Sequence, residues 1–140
     1  MPLEEGNYFI SYHTFPGDYP IARRLIDDGT YPKAVVKHAE PIPPEFAMWK
    51  VQPILKPNTF FLWNGDKPAA CIDNLVWLKE EGPQVWVIEP GPSPGTYVIL
   101  SDDKKFGWVV PDGTGDKDQV GCRDDAEPSW FHIVPADPQE

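Results

Sequence analysis

Positive charge is scarce in this sequence: 12 Lys and Arg stand against 22 Asp and Glu, for a net charge of −10 over 140 residues. A phosphate backbone is bound largely through Lys and Arg displacing counterions, so nucleic acid is not an expected partner. The same charge disfavours anionic membrane surfaces. No apolar run approaches the ~20 residues a helical span requires, and no membrane association is expected. The opening Met1-Pro2-Leu3-Glu4-Glu5-Gly6 has neither a basic region nor an apolar stretch. It does not read as a secretory leader, and a cytoplasmic location is expected unless the sequence is that of a mature form.

Cysteine is almost missing as well. Cys71 and Cys122 could pair once, but two cysteines in a domain of this size read more readily as buried, reduced thiols. Catalytic motifs are no better supplied. Ser93 stands in a Gly-x-Ser-x-Gly string, Gly91-Pro92-Ser93-Pro94-Gly95, but between two strand patterns and flanked by prolines, not on a strand-to-helix elbow. It reads, like Ser11, Ser101 and Ser129, as an ordinary turn serine. His13, His38 and His132 are far apart, and neither His-Glu-x-x-His nor Cys-x-x-Cys occurs. The acidic run Asp112 to Asp118 misses the register of a calcium loop, and Lys117 intrudes on it. The chain is expected to be no enzyme and to hold neither metal nor cofactor.

What is plentiful is punctuation: 18 prolines and 11 glycines are scattered between short runs rich in Val, Ile, Trp, Tyr and Phe. That spacing argues for many short strands rather than long helices. A hydrophobic fraction of 41% is enough for one core.

An aromatic-x-[Ile/Val]-x-Pro motif occurs three times, at Trp49-x-Val51-x-Pro53, Trp86-x-Ile88-x-Pro90 and Phe131-x-Ile133-x-Pro135. Residues two apart in a strand share a face, so each copy turns an aromatic and a β-branched residue into the core together, and proline then ends the strand. A second motif opens each unit: Gly6-Asn7-Tyr8-Phe9-Ile10, Asn58-Thr59-Phe60-Phe61-Leu62 and Gly95-Thr96-Tyr97-Val98-Ile99.

Between opener and closer there is room for two further strands. They are read as Pro20 to Leu25 with Lys33 to Lys37, Pro68 to Ile72 with Leu75 to Leu78, and Phe106 to Pro111 with Asp118 to Arg123. Turn residues separate them at Asp27-Asp28-Gly29, Asn64-Gly65-Asp66, Ser101-Asp102-Asp103 and Asp112-Gly113-Thr114-Gly115. The fold class expected is all-β: a β-trefoil of twelve short strands in three four-strand units with pseudo-threefold symmetry. It forms a single domain over residues 1–140, with units at about 6–55, 56–92 and 93–136. A β-sandwich would fit the length, but has no reason to repeat one closing motif three times.

The opener Glu5-Gly6-Asn7-Tyr8-Phe9-Ile10 and the closer Trp130-Phe131-His132-Ile133-Val134 resemble those of the small fungal β-trefoils. These include the mycocypin cysteine-protease inhibitors, the cospin and cnispin types of serine-protease inhibitor, and some sugar-binding trefoils. The Gln-x-Trp triplet occurs once, at Gln84-Val85-Trp86, and the chain lacks it in the other two units, which separates it from the ricin-type lectins that repeat it. Its N-terminal loops also lack the glycine pairs of mycocypins, which favours serine over cysteine proteases.

The resemblance implies an inhibitor that offers a protease a substrate-like surface loop, held by a scaffold so that little ordering entropy is lost on binding. In cospin-type inhibitors the loop lies between the second and third strands, here Leu25, Ile26, Asp27, Asp28, Gly29, Thr30 and Tyr31. Arg23 and Arg24 just upstream would suit a trypsin-like pocket better than the acidic tip. The cnispin-type position is the loop after the eleventh strand, where Arg123 and Asp124 stand, and Arg123 supplies the basic residue. A mycocypin-like position falls on Asn64, in what also reads as a tight Asn-Gly hairpin turn. The alternative function is carbohydrate binding, for which Trp63, Trp77 and Trp108 lie outside the closing motifs; all three read first as hairpin-cap core, and Trp77 is the one expected to be most exposed. The expected partner is thus a protease of the serine class, with glycans as the alternative, and the expected state is a monomer.

Overall fold

The computed structural model describes residues 4–13, 18–23, 33–38, 42–80, 82–110, 119–125 and 127–136. Among these, helix is confined to a single turn, α1 (Pro44–Ala47), with proline in its first turn. The rest of the regular structure is β: β1 (Gly6–His13), β2 (Asp18–Arg23), β3 (Lys33–Lys37), β4 (Met48–Pro53), β5 (Thr59–Asn64), β6 (Lys67–Ile72), β7 (Leu75–Leu78), β8 (Trp86–Pro90), β9 (Thr96–Ser101), β10 (Gly107–Val109), β11 (Gly121–Arg123) and β12 (Phe131–Pro135).

The pairings repeat three times. β1 pairs with β4, β5 with β8 and β9 with β12. β4 pairs with β5, β8 with β9 and β12 with β1, so these six strands close into a ring without a free edge. The remaining strands form the hairpins β2–β3, β6–β7 and β10–β11. Contacts β3–β7 and β7–β11, and the bridge between Val36 and Gln119 ahead of β11, join the hairpins to one another. This is the connectivity expected of a β-trefoil, with the hairpins capping the end of the ring where β1 finishes.

The opening and closing motifs meet inside the ring as their period of two requires. Tyr8 and Ile10, Phe60 and Leu62, and Ile99 are buried with Trp49 and Val51, Trp86 and Ile88, and Phe131 and Ile133. The rings of Trp49, Trp86 and Phe131 stand 5.8, 5.5 and 6.0 Å from Trp108, which is fully buried. Burial of side chains this large contributes about 2–3 kcal/mol each.

The third repeat departs from the other two at this centre. Trp49 Nε1 donates to the Ile21 carbonyl at 2.8 Å, and Trp86 Nε1 donates to that of Ala69 at 3.0 Å. Phe131 has no N–H to give, and the position matching Ile21 and Ala69 is Trp108 itself. The Trp108 carbonyl takes the backbone N–H of Ser129 instead, at 2.9 Å. One indole has moved from the closing strand to the hairpin, where it fills the middle of the core.

Several local expectations are corrected. β2 runs from Asp18 to Arg23, two residues earlier than read, and Arg24 and Leu25 lie outside the described residues. β10 and β11 are three residues each, shorter than read. Asn64 pairs with Lys67 and belongs to β5, so the two-residue turn is Gly65-Asp66, with φ of +67° at Gly65. The expected turns at Asp27 to Gly29 and Asp112 to Gly115 lie outside the described residues.

The cysteines are not free thiols. Cys71 on β6 and Cys122 on β11 form a disulfide with Cα atoms 5.8 Å apart. The reduced reading rested on the small number of cysteines. The fold overrides it by making the second and third hairpins neighbours, with β11 beside β7.

Candidate functional site

Among the described residues on the hairpin side, the start of the β11–β12 connection is firmly anchored. Cys122 is bridged to Cys71, its N–H donates to the Asn74 carbonyl at 2.9 Å, and its carbonyl accepts from Asn74 Nδ2 at 3.2 Å. Asn74 reaches both groups because Asp73 and Asn74 form the two-residue β6–β7 turn with positive φ at both, 53° and 66°, the pattern of a type I′ hairpin. Arg123 follows at once and its side chain is exposed.

The far end of this connection is strapped down as well. Ser129 accepts the Val110 N–H on its hydroxyl at 2.8 Å while its own N–H binds the Trp108 carbonyl. Pro128 lies against Gly107, where an added Cβ would meet the proline ring at 2.9 Å. Only glycine allows that approach.

The Arg123 guanidinium is engaged by its own loop. Nε and one Nη donate to the two carboxylate oxygens of Asp125, each at 2.7 Å. The hydrogen bond from Arg123 holds the Asp125 carboxyl below its usual value, and the same bond raises Arg123 further. Asp124 is exposed beside the pair. A shallow cleft of about 460 Å³ runs alongside, edged by Asn74, Gln119, Arg123, Asp125 and Glu127.

The other described residues singled out in the sequence, Asn64 and Trp77, do not gather here. Arg24, Leu25, Ile26, Asp27, Asp28 and Gly29, with Thr30 and Tyr31, lie outside the described residues. The near edge of that segment is set by Arg23, whose guanidinium lies 4.6 Å from the centre of the Phe46 ring. His38 Nε2 stands 3.0 Å from the Arg23 carbonyl.

Asn64 is only 3% exposed, with Nδ2 3.3 Å from the Phe46 carbonyl and 3.5 Å from that of Met48. Its amide ties α1 to the barrel and is not presented to solvent. Trp77 is half-buried, paired between Ala34 and Ala70. Trp63 is half-buried on the outside of the barrel, donating to Gln52 Oε1 at 3.0 Å.

Among the described residues Leu55, Ile72, Trp130 and Val134 are exposed apolar side chains that the motifs do not mark as such. Trp130, 38% exposed, alternates with buried Phe131. Leu55 is 101% exposed, between β4 and β5. Its signal was present: Ile54-Leu55 stands between Pro53 and Pro57, just past the end of a strand and out of its alternation.

Solved structures give the fold a context. A proteinase inhibitor from Coprinopsis cinerea superposes with a TM-score of 0.73 at 17% identity, covering 95% of this chain and 99% of that one. The designed threefold-symmetric protein ThreeFoil matches with a TM-score of 0.73 at 12% identity, over 92% and 98%. A Polyporus squamosus lectin, bound to the epitope Neu5Aca2-6Galb1-4GlcNAc, matches with 0.71 at 14% identity, over 94% of this chain and 50% of the lectin. No curated protein sequence matches significantly. Identities this low speak for the fold alone, whereas the model of one sequence family aligns with residues 1–132. That family consists of inhibitors and not of enzymes. The chain belongs to the peptidase inhibitor I66 family.

Proposed function

We propose that the protein inhibits serine peptidases of trypsin-like specificity by seating the β11–β12 connection in the active-site cleft, with Arg123 as the residue that enters the primary pocket. The supporting observation is the anchoring of Cys122. The residue just before Arg123 is fixed by a disulfide and two hydrogen bonds to Asn74, so the loop loses little freedom on docking. A pocket carboxylate would take over the guanidinium from Asp125, and the exchange replaces one charge-assisted pair by another.

A stable complex buries on the order of 1,600 Å² in total, more than one loop provides. The Asp73-Asn74 turn lies beside Cys122 and supplies the neighbouring surface. Because disulfides are rare in a reducing cytosol, this reading favours an oxidising site of action over the cytoplasmic one expected from the N-terminus. The carbohydrate-binding alternative would rest on Trp77, which is half-covered by its neighbouring strands.

The test is titration of trypsin, chymotrypsin, subtilisin, papain and an asparagine-specific peptidase with the pure protein. Stoichiometric loss of trypsin activity is expected. Inhibition of papain alone would overturn the serine assignment, and a panel left fully active would overturn the inhibitory reading.

A further inference from the structure

The β4–β5 and β8–β9 connections share one frame. Ile54 N–H binds the Thr59 carbonyl at 3.1 Å, as Gly91 N–H binds that of Thr96 at 2.7 Å. Thr59 N–H returns to the Lys56 carbonyl at 3.3 Å, as Thr96 N–H does to Ser93 at 3.1 Å. Both threonine hydroxyls donate to the same carbonyls. Each turn has proline second, Pro57 or Pro94, and a residue of positive φ third, Asn58 at 63° or Gly95 at 82°, the pattern of a type II turn.

Into this frame the two connections put different side chains. Where β8–β9 has Pro92, β4–β5 has Leu55, whose side chain is as exposed as in an extended peptide. The frame forms equally well without it, so the fold does not account for a leucine there. Next to it, Lys56 precedes Pro57, and the residue before a proline is driven to extended backbone. The result is an unburied apolar side chain at a bend of the chain, pinned through Ile54 and Thr59 on either side.

We infer that Leu55 is a second peptidase anchor, entering the primary pocket of a serine peptidase whose pocket is apolar, of the chymotrypsin or subtilisin kind. The inference rests on the reading of the chain as a substrate-like inhibitor but not on Arg123. β4 runs away from the hairpins, so the β4–β5 connection lies at the opposite end of the barrel from the cap. Lys56 is not the anchor: its Nζ stands 3.7 Å from the Asp102 carboxylate, and its carbonyl is tied to Thr59. Nearby, Lys104 and Glu89 are paired at 2.6 Å. An apolar pocket rim therefore meets neighbouring charges that are already matched.

The test compares wild type, Leu55→Asp and, in an Arg123→Glu background, Leu55→Arg against chymotrypsin, subtilisin and trypsin. Leu55 touches nothing that holds the fold, so its variants should fold as wild type does. Wild type is expected to inhibit chymotrypsin or subtilisin, and Leu55→Asp to raise Ki by roughly tenfold to a hundredfold, the worth of one buried leucine side chain. Leu55→Arg is expected to restore trypsin inhibition to the Arg123→Glu protein.

Equal inhibition of chymotrypsin and subtilisin by wild type and Leu55→Asp would overturn the role of Leu55 and leave the inhibitory reading standing. So would inhibition of trypsin alone by wild type. Inhibition of no peptidase by wild type would overturn both.

Discussion

Arg123 and Asp125 face one another in a forked pair, with Nε and one Nη each 2.7 Å from a carboxylate oxygen. The pair is exposed at both ends, and it sets a competition: the carboxylate that shapes the loop also holds the guanidinium a trypsin-like pocket would need. Asp125→Asn should release Arg123 and tighten trypsin inhibition several-fold, whereas Arg123→Glu should abolish it. Inhibition constants for the two variants check this. Weaker inhibition by Asp125→Asn would mean that the fork shapes the loop more than it obstructs it.

The same pair fixes a pH dependence. The hydrogen bond from Arg123 lowers the Asp125 carboxyl below the ordinary 3.8. A carboxyl whose value is depressed on folding contributes stability that is fully present above its unfolded value and is lost as pH falls through the folded one. The fork should therefore stay closed at neutral and mildly acidic pH and open only below 3.8. A carbon-detected NMR titration of Asp125 should give a midpoint below 3.8 in wild type, moving back toward 3.8 in Arg123→Gln.

The disulfide closes a span of 51 residues, for which the chain-entropy picture gives about 4 kcal/mol. Reduction, or Cys71→Ala with Cys122→Ala, should lower Tm by roughly 10–15 °C in a domain of this size. If the Arg123 loop is the docking element, the reduced protein should also inhibit trypsin less well at temperatures where it remains folded. Chymotrypsin inhibition through Leu55 should persist under those conditions, because the hydrogen bonds that hold the Leu55 frame, among Ile54, Lys56 and Thr59, involve neither cysteine.

The barrel was legible because its signal is local and repeated. Each opener and closer carries its own alternation, and Trp49, Trp86 and Phe131 mark the same inward position three times. The disulfide was not legible, since Cys71 and Cys122 become neighbours only once two hairpins dock.

Asn64 illustrates the limit in another way. An Asn-Gly pair suggests a turn tip, yet pairing with Lys67 moved the tip one residue on and turned the amide inward onto the Phe46 and Met48 carbonyls. Leu55 is the opposite case: its place between Pro53 and Pro57, past the end of β4 and out of its alternation, marks it in the sequence as a residue the core does not claim.

Asn64→Ala should then cost stability and not inhibition. Leaving the Phe46 carbonyl without its donor, in a site where the asparagine is buried, should destabilise by about 1–3 kcal/mol. A urea midpoint shifted at constant m, with unchanged inhibition of an asparagine-specific peptidase, would fit an amide that works only as a strut. Loss of such inhibition without loss of stability would show the amide reaching a peptidase.

Trp108 offers the sharpest test of the core. Its ring is packed against Trp49, Trp86 and Phe131, but its Nε1 is buried without a hydrogen-bond partner among the described residues. Trp108→Ala removes packing and leaves a cavity, and should cost about 3–5 kcal/mol. Trp108→Phe keeps an aromatic ring at the centre and removes the orphaned N–H, whose burial costs about 1–3 kcal/mol, so the two changes oppose each other. Trp108→Phe leaves a smaller cavity than Trp108→Ala and removes the orphan, so it should cost clearly less than the Ala variant. Urea unfolding with unchanged m separates the cases. A Phe variant as unstable as the Ala variant would mean that the full width of the indole, and not merely an aromatic ring, is what Trp49, Trp86 and Phe131 require at the centre.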